Sequence, residues 1–154
     1  MALMKDINDK VYKIIGSCMD VHRTLGPGYP VDFYRKALEV ELPQRGLTFE
    51  AQKTLQVEFK DVLVGSLVLD FLIGEKVALV VRCQDNLFDY EVQQMLRFLQ
   101  LTNTTIGVLV NFGLMKIQYK RVLPTQMQRD PQKQPLRPLA YREIGKTREG
   151  NPIV

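Results

Sequence analysis

The stretch Asp70 to Arg82, DFLIGEKVALVVR, reads as two short strands meeting at Gly74-Glu75-Lys76. The first strand opens on an acid. The second, Val77 to Val81, is wholly apolar until it ends in the cation Arg82. A strand apolar on both sides belongs in the middle of a sheet covered on both faces. An acid and a cation at the borders of such a core need either a partner or a task, because a buried unpaired charge is costly.

The pattern on either side of this stretch is helical before it and mixed after it. From Asp6 to Leu25, apolar Val11, Ile14, Ile15, Cys18, Val21 and Leu25 recur at three- and four-residue spacing, which predicts an amphipathic helix with Asp6 or Asn8 as its cap. Gly26-Pro27-Gly28 stops it. A second helix is expected over Val31 to Leu42, with Phe33, Tyr34, Ala37, Leu38 and Leu42 inward and Pro43 ending or kinking it. From Thr48 the period becomes two: Leu55, Val57 and Phe59 alternate with Gln56, Glu58 and Lys60. Lys60-Asp61 is a turn, Val62 to Ile73 a mostly apolar strand, and Gly65-Ser66 a bend or bulge within it. After a polar link from Asp85, a helix from Asp89 to Leu101 places Val92, Met95, Leu96 and Leu99 at core spacing. Thr104 to Val110 and Met115 to Val122 are strands joined by Asn111-Phe112-Gly113. The order α-α-β-β-β-α-β-β describes an α/β domain with one central mixed sheet flanked by helices.

Composition narrows the function classes. With 154 residues, 45% hydrophobic and 25% charged, the chain suits one globular domain and a tail. No apolar run reaches the roughly 20 residues of a membrane span, and MALMKDINDK lacks the apolar block of a secretory signal. Cys18 and Cys83 sit in apolar elements and read as buried free thiols, in keeping with a reducing, cytoplasmic setting. A lone histidine, His22, and the lack of any CxxC pair argue against a zinc site. Of the net charge of +4, residues 124–154 hold six cations against three acids, or +3, which leaves +1 for residues 1–123. That division sets a nearly neutral domain, 1–123, beside a basic, Pro-rich tail, 124–154, expected to be extended or docked on a partner.

Residues His22 to Gly28, Tyr34 with Ala37-Leu38, Arg45-Gly46-Leu47, Asp70, Gln94 with Met95-Leu96, and Val110 to Gly113 fall in the order of a known family. On these motifs, spread over Ile7 to Val122, the chain resembles the small bacterial GxxExxY proteins, a branch of the PD-(D/E)XK nuclease superfamily. The resemblance implies a restriction-endonuclease-like core and a metal-dependent nuclease ancestry. It also marks departures. Val31 stands where the motif has Glu, Val80 where the second site acid is expected, and Arg82 where the Lys is expected; Asp70 and Gln94 match.

Mg²⁺ needs oxygen ligands, and Asp70 alone is a poor anchor. Arg82 stays protonated and cannot act as a base. The expectation is therefore a catalytically inactive nuclease-like domain, not an enzyme, with no cofactor and no metal site. Asp70 and Arg82 would form a structural ion pair, and the domain would act as a protein-binding or assembly module toward a protein partner or a second copy. Two alternatives stand beside it. One is a Mg²⁺-dependent nuclease with Asp32 or Glu91 as a displaced second acid. The other is non-catalytic binding of nucleic acid through the basic tail; no membrane partner is expected.

Overall fold

A computed structural model describes residues 2–124 and shows eight elements in the expected order. Helices α1 (Ala2–Leu25) and α2 (Val31–Gln44) precede strands β1 (Phe49–Phe59), β2 (Val62–Ile73) and β3 (Val77–Arg82). Helix α3 (Asp89–Thr102) crosses to β4 (Ile106–Asn111), and β5 (Gln118–Val122) ends the domain. The five strands lie in the order β1-β2-β3-β4-β5. Only β3 and β4 run parallel, in the register Val77↔Ile106 to Arg82↔Asn111. The basic tail lies outside the described residues except for Pro124.

Two cores sandwich the sheet. Val11, Ile14, Cys18, Tyr34, Leu38 and Leu42 bring α1 and α2 onto Phe71, Ile73, Leu79, Val81 and Val108. On the other face, Met95, Leu96, Phe98 and Leu99 of α3 cover Leu69, Leu72, Ala78, Val80 and Leu109. Alternate residues of β3 feed opposite cores, which is why the sequence shows no polar position until Arg82. Among the described residues, no helix is long and apolar enough to cross a membrane.

The local expectations hold with corrections. Helix α1 begins at Ala2, so Asp6 and Asn8 lie inside it rather than capping it. Helix α2 includes Pro43 and ends one residue later, at Gln44, since the proline lacks a donor and crowds the carbonyl of Glu39. Phe33 is exposed, not inward; it stacks on Tyr29 with ring centroids 5.3 Å apart. Strand β5 starts at Gln118 rather than Met115. Tyr34 is buried, its hydroxyl donating to the Gly26 carbonyl and accepting from the Tyr29 amide, and its ring stacks on Phe112. His22 is buried and its Nε2 lies 2.8 Å from the Leu114 carbonyl, a structural contact. Lys60 and Asp61 both have positive φ, 50° and 67°, as a two-residue type I′ hairpin requires.

The cysteines differ from each other. Cys18 is fully enclosed, and burial pushes its thiol up to about 12. Cys83 is half-buried rather than buried, and donates to the Tyr29 carbonyl. A thiol reagent at pH 8 should therefore label one cysteine in the native protein and two in denaturant, with Cys83→Ser removing the native signal; mass spectrometry of the adducts checks this.

The glycines Gly107 and Gly113 give a second contrast. A Cβ at Gly113 would sit 2.4 Å from the Gln84 carbonyl oxygen, whereas at Gly107 it would meet the flexible Met95 side chain. Gly113→Ala should cost about 2 kcal/mol or more and Gly107→Ala less, as read from urea midpoints.

Candidate functional site

The sheet forks at Asp70. Strand β2 pairs with β3 only from Phe71↔Leu79 to Ile73↔Val77, and one position further the ladder stops. On its other side β2 pairs with β1 as Ala51↔Phe71 and then Lys53↔Leu69, skipping Gln52 opposite Asp70. Gln52 has a positive φ of 51°. The alternation of faces slips at this point in both strands. Phe49, Ala51, Phe71 and Ile73 pack toward α1 and α2, whereas Leu55 and Leu69, of the same parity, pack toward α3.

The Asp70 carboxylate fills the fork. Its Oδ2 accepts the Val81 amide at 2.8 Å, replacing the ladder bond that β2 no longer supplies. Its Oδ1 accepts Arg35 Nε of α2 at 2.8 Å and faces Gln52 Nε2 at 3.5 Å. Arg82 Nη1 lies 3.8 Å from Oδ2, an ion-pair separation too long for a hydrogen bond. So the expected partner of Asp70 is beside it, but Arg35, which the sequence reading did not single out, holds it more closely.

Arg82 is itself directed at α3. Its Nε donates to Glu91 Oε1 at 3.1 Å, its Nη2 to Gln94 Oε1 at 2.9 Å, and its Nη1 to the Val81 carbonyl at 3.2 Å. Glu91 is almost completely buried; its Oε2 also accepts from Gln84 at 2.6 Å and from the Phe88 amide at 3.0 Å, which anchors the start of α3. Guanidinium geometry allows this three-way grip, whereas an ammonium would make a point contact.

The remaining sequence candidates make no bond to Asp70 or Glu91. Val80 is buried in the α3 core, and Val31 packs on the edge of the α1–α2 core. Asp32 is largely exposed and paired with Arg35. Asp70, Arg82, Gln94 and Glu91 thus converge, Arg35, Gln52 and Gln84 join them, and Val31, Val80 and Asp32 contribute no oxygen to the fork.

A divalent cation does not suit this set. All four oxygens of Asp70 and Glu91 already face donors, two of which are guanidinium groups. A unit positive charge about 4 Å from either guanidinium would meet roughly 4 kcal/mol of repulsion at an effective dielectric of 20, and a divalent ion about twice that. Among the described residues no group of three or more His, Cys, Asp or Glu is arranged to hold a metal ion.

A mixed sheet that opens at a buried acid, with the next strand ending in a cation under the crossing helix, defines a nuclease-like α/β domain. The family model described as the PD-(D/E)XK nuclease superfamily matches residues 8–122, and the chain belongs to that superfamily. No curated protein and no solved structure matches the chain.

Breaking the Arg82 grip has a defined cost. Arg82→Ala leaves Glu91 buried with its cation gone and should lower stability by about 3 kcal/mol. Arg82→Lys should recover less than half of that, because one ammonium cannot span Glu91 and Gln94 with the same geometry. Equilibrium urea unfolding of both variants checks the order.

Proposed function

We propose that the domain is a catalytically inactive, nuclease-like module of the GxxExxY type that works by binding, as an assembly or protein-docking unit. One observation carries the reading: both buried acids of the fork are neutralised by arginines, in the place where a nuclease would present free carboxylates to Mg²⁺. The valine at position 80 supports it, since its side chain is committed to the hydrophobic core. A reducing, cytoplasmic setting agrees with two unbridged cysteines.

The rival reading, a nuclease using Glu91 as a displaced second acid, has its own support: Arg82 lies between Glu91 and Asp70, so the two acids share one neighbourhood. The readings separate on a panel of labelled single- and double-stranded DNA and RNA, incubated with Mg²⁺ or Mn²⁺. The proposal expects no cleavage above the level of Asp70→Ala, and none gained by Arg82→Ala. Metal-dependent cutting by the wild type that disappears in both Asp70→Ala and Glu91→Gln would overturn it.

A further inference from the structure

The β1–β2 hairpin runs past the body of the domain. Beyond the fork, β2 has no β3 partner, because that pairing is confined to Phe71–Ile73, and β1 is the outer strand of the sheet. Residues 58–66 are exposed on every position of both strands and the turn between them. Among the described residues, the hairpin therefore projects as a two-stranded ribbon with both hydrogen-bonding edges free. Its side chains do not suit that setting: Phe59, Val62, Leu63, Val64 and Val68 are all 50–63% exposed. The ammonium of Lys60 lies over the Phe59 ring, 5.4 Å from its centroid. A shift in register between Val57 and Glu58, beside Gly65, leaves Val64 as an extra outward residue. A two-stranded ribbon is marginal in water by itself, and its β2 edge, Val62 to Val68, carries neither charge nor proline to guard it against pairing.

We propose that this ribbon is a dimerisation element and that its occupant is the same ribbon of a second copy of the chain. The inference depends on the binding reading above only for its biological use; the surface would associate whether or not the fork cleaved anything. Two features favour a second copy. A free strand edge is complementary to any other free edge, so two identical ribbons can continue one another's ladders. The tip carries opposite charges side by side, Glu58, Lys60 and Asp61, so Lys60 of one copy can meet Glu58 or Asp61 of the other.

The test is sedimentation equilibrium of the full chain from about 1 to 100 µM, a range that brackets a micromolar dissociation constant. The wild type should sediment as a dimer that dissociates on dilution. Val64→Lys should shift the midpoint at least about tenfold toward monomer. Val62→Thr, a milder change at an equally exposed site, should shift it in the same direction with far-UV circular dichroism unchanged. A wild type that is monomeric throughout would overturn the proposal, and so would a dimer unaffected by both substitutions. Neither result would bear on whether the fork is inactive.

Discussion

The hydrogen bond from the Val81 amide to the Asp70 carboxylate is the constraint on which the rest of the domain depends. Strand β3 is the central strand and must stay fully satisfied, yet β2 leaves it at this level. A buried amide without a partner costs on the order of 1–3 kcal/mol, so something must replace the missing carbonyl. A carboxylate does this well, since a charge-assisted bond is stronger than a neutral one, but it introduces a negative charge into a dry place. Arg35 from α2 and Arg82 from β3 balance that charge, and Glu91 and Gln94 then hold Arg82 in turn. One broken ladder bond thus recruits side chains from α2, β1, β3 and α3. The network ties both helical layers to the sheet where it divides.

The same geometry explains why the fork and the ribbon occur together. Once β2 separates from β3, β1 and β2 have no sheet to lie on, and the reversal of alternation at Gln52 and Asp70 turns Leu55, Leu67 and Leu69 toward α3. Past Leu67 the helix is no longer beneath the strands, and residues 58–66 all face water. The exposure of the apolar side chains at the tip is a consequence of the chain continuing beyond its own core.

Much of this was legible in the sequence, for physical reasons that differ by element. The helices and the order of strands follow from periodicity, because Val11, Ile14, Cys18 and Val21 can share a face only on a helix and Val77 to Val81 can be satisfied only inside a sheet. Asp70 and Arg82 stand out because charges flank an apolar run. Arg35 and Gln52 did not stand out: each sits in a polar, locally ordinary context and meets Asp70 only through the tertiary fold. Phe33 is expected inward yet lies exposed, because helical spacing fixes the angle of a side chain but not where the neighbouring layer ends. For the same reason the apolar composition of Val62 to Val64 gives no sign that these residues lie outside the core.

The central claim is that the fork is a charge-balanced structural joint rather than a metal site. Its most direct test is the melting temperature of the metal-stripped protein titrated with Mg²⁺ and with Mn²⁺, since a ligand that binds only the native state raises stability in proportion to the logarithm of its concentration. The account predicts no saturable increase for the wild type with either ion. A saturable rise that is abolished in Asp70→Asn would contradict it, and would make the joint a metal centre after all.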